Sequence, residues 1–159
     1  EQLPEELRYA DPDLKPTRAA GEIDRSVLER LKQALPFAAV LRDELLHDWF
    51  GRFITRYRSA QLPAPPEKPL ALDMLTTKLA AGAQLLRHPW SRLAWIRDKS
   101  GCTLYVSGHA YAAGPDLAQQ LCEQRELILD RKLSAAERAL LLALVNDGHL
   151  LLRTSRRRR

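Results

Sequence analysis

The clearest pattern in the chain is a helical repeat of apolar side chains between residues 37 and 58. Apolar residues recur there every three or four positions, which is the spacing of one face of an α-helix. Asp48 and Arg52 stand four apart on the polar side and favour the same helix through an ion pair. We expect Gly51, inside the helix, to let a neighbouring backbone come close. Two adjacent apolar rows form a wide stripe. One row consists of Val40 or Leu41 with Leu45, Trp49, Phe53 and Tyr57, and the other of Leu46, Phe50 and Ile54.

A shorter helix is predicted before the long one, from about residue 25 to residue 35. Asp24 is a good N-cap, and Ile23 and Leu28 have the spacing of a hydrophobic staple. Pro36 ends the helix, because proline cannot continue it. Residues 1–20 contain three prolines among charges, which predicts an irregular arm.

So much aromatic and aliphatic surface on one helix of a short chain needs a partner beyond the few elements nearby. A second copy of the same helix is the obvious candidate, and we expect residues 21–61 to form a helical dimerisation region. In the alternative, these residues are only the core of a monomeric bundle and cover the second domain. The predicted dimer interface consists of Leu28, Leu31, Leu41, Leu45, Trp49, Phe50 and Phe53.

Four prolines between residues 62 and 69 predict a semi-rigid linker of polyproline geometry and a domain boundary. Beyond it, residues 70–155 alternate short helical and strand patterns, so the fold class is α+β with a small winged-helix-like domain. Ser107-Gly108 predicts a tight hairpin turn, and Ser134 with Glu137 predicts a capping box. The predicted strands are 83–87, 92–97, 102–107, 109–112, 127–129 and 150–152. The predicted helices begin near residues 72, 115 and 134.

Composition indicates an ordinary globular protein of one domain or two small ones, with 159 residues, 45% hydrophobic and 28% charged. The longest apolar run, Ala139 to Val145, is far shorter than the roughly 20 residues of a membrane-spanning helix. We therefore expect a soluble, cytoplasmic protein. The formal net charge is +5, but four arginines at 156–159 contribute most of it. We interpret this basic tail as a solvated end that attracts phosphate only nonspecifically.

The residues suggest no catalytic constellation. Cys102 and Cys122 lie 20 positions apart with no CxxC pair, which favours reduced thiols over a zinc site or a disulfide. The four histidines form no HxD, HExxH or HxH arrangement, and no phosphate-binding glycine loop or nucleophile elbow occurs. We assign no catalytic, cofactor-binding or metal-ligating residue in this chain.

Two features of the sequence bear on nucleic-acid binding. The predicted helices at 115–124 and 134–146 resemble a helix-turn-helix pair, but the second one is mostly Ala and Leu and looks buried. Between Trp90 and Lys99, aromatic and basic residues interleave, although alternation places Trp95 in the core. We expect nucleic-acid contact to be absent or weak. The alternative function is a free-standing winged-helix nucleic-acid-binding adaptor.

Four short segments carry a family resemblance. They are Tyr9-Ala10-Asp11-Pro12-Asp13, Trp49-Phe50-Gly51-Arg52-Phe53-Ile54, Ala64-Pro65-Pro66-Glu67 and Leu144-Val145-Asn146-Asp147-Gly148. In their order and spacing, they make the chain similar to the C-terminal portion of bacterial JmjC-type ribosomal oxygenases, the RoxA class of cupin-fold hydroxylases.

The resemblance implies a parent enzyme whose catalytic barrel binds Fe(II) through an HxD…H triad and uses 2-oxoglutarate to hydroxylate an arginine of a ribosomal protein. That barrel has no counterpart in these residues, so the cofactors are expected in a missing catalytic domain. The chain itself would be a noncatalytic dimerisation and winged-helix-like module that forms a homodimer. Met74 is the only methionine, and we expect a fragment of a longer protein.

Overall fold

A computed structural model describes residue 17 and residues 19–34, 42–56, 63–98, 101–129 and 132–153. This part of the chain contains five helices and six strands. The helices are α1 (Arg25–Ala34), α2 (Asp43–Thr55), α3 (Leu72–Ala80), α4 (Pro115–Glu123) and α5 (Ala135–Asn146). The strands are β1 (Gln84–Arg87), β2 (Leu93–Arg97), β3 (Cys102–Val106), β4 (His109–Ala113), β5 (Glu126–Leu127) and β6 (Leu150–Arg153).

The strands form two antiparallel three-stranded sheets, in the orders β5-β1-β6 and β2-β3-β4. The α+β prediction is confirmed. The predicted turn joins β3 to β4, with positive φ angles of 48° at Ser107 and 90° at Gly108. The predicted capping box is also present, because Ser134 Oγ accepts from Glu137 N at 3.2 Å and Ser134 N donates to Glu137 Oε2 at 2.8 Å. Within the described ranges, no helix is long and apolar enough to cross a membrane.

In the sheet β2-β3-β4, strands β2 and β3 are covered on both faces. On one face, Trp95, Leu104 and Val106 belong to the main core with α4 and α5. On the other face, Ala94, Ile96 and Tyr105 form a second cluster with residues of α1 and α2. The helical segment is therefore a third layer, packed directly on this sheet.

The start of α1 follows the predicted pattern. Asp24 Oδ1 accepts hydrogen bonds from the backbone N of Ser26 at 2.8 Å and of Val27 at 3.2 Å, and Ile23 and Leu28 lie in one cluster. Hydrogen bonds from the Ser26 side chain and the Val27 backbone lower the pKa of Asp24. Just before the helix, Ile23 N donates to the carbonyl of Trp95 at 2.9 Å, which ties this segment to the edge of β2.

The prediction of one helix over residues 37–58 is wrong. Arg42 has an extended backbone, with φ −65° and ψ 143°, so α2 begins at Asp43. Asp43 and Glu44 occupy its first turn, where negative charge is stabilised by the helix dipole. The helix ends at Thr55, and Arg56 is again extended. The predicted helical positions 37–41 and 57–58 lie outside the described residues.

Gly51 permits a close approach, but of a side chain and not of the backbone that the sequence suggested. The ring of Tyr105 lies directly against the α-carbon of Gly51, so any Cβ at that position would overlap the ring. Tyr105 is 2% exposed, so the ring has no free volume to move into.

The proline-rich segment lies on the end of α5. The Asn146 side-chain amide accepts a hydrogen bond from Leu70 N at 2.7 Å and donates one to Leu70 O at 3.0 Å. Gly148, with φ 80°, stands against the carbonyl of Ala64, where a Cβ would clash. These contacts hold the described part of the linker to the turn between α5 and β6. The division at residues 62–69 stays a prediction.

A buried hydrogen bond joins the β1–β2 loop to the same turn. Ser91 Oγ and His149 Nδ1 are 3.0 Å apart, and both residues are 7% exposed. Burial lowers the pKa of His149 below its usual 6.5.

We expect Gly51→Ala to destabilise the fold by about 1–3 kcal/mol, because the added Cβ would overpack against the ring of Tyr105. Chemical denaturation measures the free energy of unfolding. Gly114→Ala is the matched control, because Gly114 has a negative φ and nothing near its Cβ position. Equal losses in the two alanine variants would contradict the packing account.

The His149 site predicts a pH dependence of stability. Because its folded pKa is lowered, the unfolded chain binds the proton more tightly, and stability present above about pH 6.5 falls as the pH drops, by at most about 1.4 kcal/mol per pH unit. His149→Gln should flatten the curve of unfolding free energy against pH, whereas His109→Gln, at an exposed position, should not. Parallel curves for the wild type and His149→Gln would refute the assignment.

Candidate functional site

The inner side of α2 is fixed to the sheet by apolar packing. Leu46 is fully buried, and Phe50 and Ile54 pack on the second cluster around Tyr105. These three residues are the members of one predicted apolar row, and all of them pack against other parts of the same chain. Packing within the chain therefore determines which side of α2 faces the sheet.

Hydrogen bonds join the end of α2 to the β3–β4 turn. Thr55 Oγ1 accepts a hydrogen bond from Gly108 N at 3.1 Å, and Arg52 Nη1 donates to Gly108 O at 3.3 Å. Thr55 Oγ1 also donates to Gly51 O at 2.8 Å and is buried. Both backbone polar atoms of Gly108 are thus hydrogen-bonded to α2, which limits sliding or rotation of the helix.

The other predicted row points to solvent. Leu45, Trp49 and Phe53 are 51%, 43% and 52% exposed. The Trp49 and Phe53 rings stack, with centroids 5.3 Å apart and planes at 13°. Spaced at four-residue intervals, the three side chains run about 12 Å along the helix. We call Leu45, Trp49 and Phe53 the outer row.

A polar edge borders the outer row. Asp48 Oδ2 and Arg52 Nε are 2.8 Å apart, which confirms the predicted pairing of these residues on the solvent side. The hydrogen bond to Asp48 raises the pKa of Arg52. At the start of α2, Lys32 Nζ lies 2.7 Å from Asp43 Oδ1 and joins α1 to α2. An apolar strip with a charged rim is the usual anatomy of an association surface.

The residues predicted as a dimer interface occupy different environments. The structure brings Leu45, Trp49 and Phe53 together on the surface. Leu31 and Phe50 are half-buried, and Leu28 is 4% exposed within the chain's own second cluster. Leu41 lies outside the described residues. The dimer interface itself stays a prediction.

The residues considered for nucleic-acid reading also separate. Trp95 is fully buried, as alternation predicted, whereas Trp90 and Arg92 are exposed. The second helix of the predicted pair is α5, and it packs its apolar side in the core, as its composition predicted. Its buried residues are Leu140, Leu141, Leu144 and Val145.

The second buried face of β2 was missed. Ala94 and Ile96 face the helical layer, while the prediction considered only Trp95 as core. The available signal was the uninterrupted apolar run from Leu93 to Ile96, because strands covered on both faces lack polar alternation.

Chemical reactivity is not favoured at the cysteines. Burial raises the pKa of the Cys102 thiol to about 11 and that of the Cys122 thiol to about 12, so neither forms the thiolate readily. Among the described residues, no group of three or more His, Cys, Asp or Glu side chains could hold a metal ion. These residues therefore do not fit an iron centre.

Three of the four segments that carried the family resemblance now have structural roles. Gly51 and Arg52 hold α2 to the β3–β4 hairpin, and Asn146 and Gly148 hold the linker around Ala64. The fourth, residues 9–13, lies outside the described residues. The marker residues are thus mainly contacts between elements distant in the sequence.

The fold defines the class of protein: a small α+β winged-helix domain with two helices packed on the outer face of its hairpin sheet. The chain belongs to the ROXA-like winged helix family, whose model matches residues 29–151. It is 27% identical over 146 residues to the ribosomal protein uL16 3-hydroxylase of Escherichia coli K12. The aligned region covers 89% of this chain and 38% of that protein. The predicted resemblance to ribosomal oxygenases is confirmed.

Solved structures of related proteins agree. An X-ray structure of E. coli ycfD matches with a TM-score of 0.62 and 25% identity, over 91% of this chain and 39% of the other. The E. coli ribosomal oxygenase YcfD in complex with cobalt and 2-oxoglutarate matches with a TM-score of 0.60 and 26% identity, over 91% and 40% of the two chains. This chain therefore spans about two fifths of the relatives it matches.

The hydrogen bonds between α2 and the hairpin predict that two threonine-to-valine substitutions will differ in their effect on stability. Thr55→Val removes a buried hydroxyl and leaves the partly buried N–H of Gly108 without its acceptor, which should lower the free energy of unfolding by about 1–3 kcal/mol. Thr76→Val is the matched control, because Thr76 also bonds back along its helix, to Leu72 O at 2.8 Å, but is exposed. Denaturation showing a loss as large at Thr76 as at Thr55 would contradict the account.

Proposed function

We propose that this chain is the dimerisation and winged-helix module of an Fe(II)- and 2-oxoglutarate-dependent ribosomal protein hydroxylase. In this proposal the module is noncatalytic, and it pairs two copies of a catalytic domain that lies elsewhere in the parent protein. The observation that carries the association role is the outer row, three large apolar side chains about half exposed on a helix that is rigidly anchored on its other side.

Energetics favour a second copy as the partner of the outer row. Full burial of a side chain of this size contributes about 1.5–3 kcal/mol, and roughly half of that remains to be gained at each of Leu45, Trp49 and Phe53. Two copies double the gain, which then reaches several kcal/mol and can offset part of the cost of association. A twofold arrangement presents the same strip from both sides, so an apolar row meets an apolar row.

The remaining predicted interface residues take supporting roles in this proposal. The Phe50 ring centre is 6.4 Å from that of Trp49, so Phe50 would form an edge of the interface, with half-buried Leu31. Leu28 would act from beneath by holding α1 in the second cluster. Leu41 is included from the sequence alone.

The enzymatic part of the proposal is supported by family membership and by the curated relative. That relative is a ribosomal protein 3-hydroxylase and is much longer than the present chain. We infer that the parent of this chain uses Fe(II) and 2-oxoglutarate, hydroxylates an arginine of a ribosomal protein and works in the cytoplasm. No catalytic step is assigned to the residues described, since they offer no metal-ligand cluster.

The nucleic-acid adaptor has less support as the main function. A winged-helix reader exposes polar side chains on its second helix to base edges. Here the corresponding helix, α5, buries four apolar residues and is ordered around core packing. The exposed positions of α5 include Ala135, Ala136 and Ala139, which offer no hydrogen-bonding side chain to base edges.

Trp49→Glu tests the association role. The chain should be a dimer at low micromolar concentration, and the variant should dissociate at least about a hundredfold more readily, because a carboxylate would be desolvated against apolar side chains. Light-scattering mass over a concentration series measures this. Met74→Glu is the matched control, since Met74 is 49% exposed on α3 and should leave the mass unchanged. A Trp49→Glu dimer as stable as the wild type would refute the interface.

The hydroxylase role is tested separately on the whole protein that contains this chain. Incubated with Fe(II), 2-oxoglutarate and ribosomal proteins, it should add one oxygen atom to an arginine-containing peptide, detected by mass spectrometry. Absence of that addition in a folded, iron-loaded preparation would contradict the enzymatic part and leave the dimer result standing.

A further inference from the structure

The β1–β2 loop, residues 88–91, crosses from one sheet to the other and is fastened to the turn between α5 and β6. Ser91 Oγ lies 3.0 Å from His149 Nδ1, and both residues are 7% exposed. His88 N donates to His149 O at 2.9 Å. His149 thus holds the loop twice, with its carbonyl at the start of the loop and with its ring at the end.

Within the loop, two hydrogen bonds and a ring contact hold Trp90 in place. Ser91 N donates to His88 O at 3.0 Å. Trp90 N donates to His88 Nδ1 at 3.3 Å, so this nitrogen carries no proton of its own. The rings of His88 and Trp90 meet edge-on, with centroids 5.1 Å apart, and Trp90 is 43% exposed. The position of the indole therefore depends on the loop staying closed.

The surroundings of His149 favour a neutral ring. Burial lowers the pKa of His149, Asp147 in the same turn raises it, and the imidazoles of His109 in β4 and His88 in the loop lower it. Asp147 itself accepts a hydrogen bond from Tyr111 Oη at 2.7 Å. A positive charge on the His149 ring would lie in a site with little water and near two other imidazoles. Opening the loop that covers the ring would hydrate that charge.

Opening of the loop can stay local, because both of its ends continue into paired strands. On one side, β1 pairs with β5 and β6. On the other side, the carbonyl of Arg92 accepts from Ser107 N at 3.0 Å, which continues the pairing of β2 with β3. The two sheets thus hold the ends of the loop when residues 89–91 move. Release of a short surface segment costs far less free energy than unfolding of both sheets.

We propose that the β1–β2 loop is a proton-operated latch, in which protonation of His149 separates Ser91 from the α5–β6 turn and frees the indole of Trp90 from its place against His88. A ring with a lowered pKa takes up a proton more readily once it is hydrated, so the latch is closed above about pH 6.5 and opens as the pH falls. Acidification would then convert a fixed surface loop into a mobile one. The latch uses neither the outer row nor the catalytic domain, and it is independent of the proposed function.

A purely structural role for the Ser91–His149 bond is the alternative. In that case the proton is taken up only when the whole domain unfolds, and the loop amides open together with those of the sheet. The latch requires the loop to open by itself, at a lower free energy than the sheet. Amide exchange separates the two cases, because each amide reports the opening that exposes it.

Native-state hydrogen exchange of the whole chain from about pH 5 to about pH 7.5 tests the proposal, with each rate corrected for intrinsic exchange at that pH. The Ser91 amide should open at least about tenfold more often than the Leu104 amide in β3, which reports global unfolding. Its opening constant should rise as the pH falls below about 6.5, by at most about tenfold per pH unit for one proton. An opening constant equal to that of Leu104, or one independent of pH, would overturn the proposal.

Two asparagine variants identify the histidine that binds the proton. Asparagine places a polar atom near the position of Nδ1 but does not titrate. His149→Asn keeps a partner for Ser91 and should abolish the rise in loop opening at low pH. His88→Asn is the matched control in the same loop, because it keeps an acceptor for Trp90 N and should retain the rise. A rise that persists in folded His149→Asn would overturn the assignment to this residue.

Ser91→Ala tests the latch without removing a titrating group. The loop then loses its buried hydrogen bond, so its amides should open about tenfold more often at about pH 7.5, where His149 is neutral. Ser107→Ala is the matched control and should leave the loop unchanged, because in the described part of the chain Ser107 Oγ is buried without a hydrogen-bond partner.

Circular dichroism verifies that each variant is folded, and the Ser91→Ala result stands by itself if His149→Asn does not fold. Unchanged opening of the loop in folded Ser91→Ala would show that the Ser91–His149 bond does not hold the loop, and would overturn the latch.

Discussion

The contact between Gly51 and the ring of Tyr105 is the constraint on which the rest of the architecture depends. Because no side chain intervenes at position 51, α2 lies directly on the hairpin sheet, and Phe50 and Ile54 pack on the cluster that contains Tyr105. The polar grip of Thr55 and Arg52 on Gly108 then fixes the rotation of the helix. A bulkier residue would lift the helix from the sheet and expose the second cluster.

With α2 held in this rotation, its remaining apolar residues must face outward. The outer row is thus a consequence of internal packing. In the proposed association, little backbone freedom would be lost, because the helix that carries the row is already fixed on its other side. The same packing makes the helical layer and the winged-helix sheet one structural unit. A partner bound to the outer row would therefore be oriented relative to the whole module.

Much of the fold could be predicted from local pattern. The strands around the Ser107-Gly108 turn, the capping box at Ser134 and the burial of Trp95 all follow from residues close together in sequence. The exact span of α2 does not follow from nearby residues. The apolar periodicity includes residues before Arg42, although the backbone at Arg42 is extended and α2 begins only at Asp43. Local pattern also could not predict that one apolar row of α2 would be covered and the other exposed. Which row is covered depends on Tyr105, more than 50 residues away, and on the unrecognised double burial of β2.

Native-state hydrogen exchange is the most direct measurement of the central claim that α2 and the hairpin sheet are one cooperative unit. The account predicts that amides from Phe50 to Ile54 open with the same free energy as those of Leu104 to Val106 in β3, because the two elements share one buried cluster. Opening of the α2 amides at a much lower free energy than the β3 amides would contradict it and would show the helical layer to be an independent, weakly attached domain.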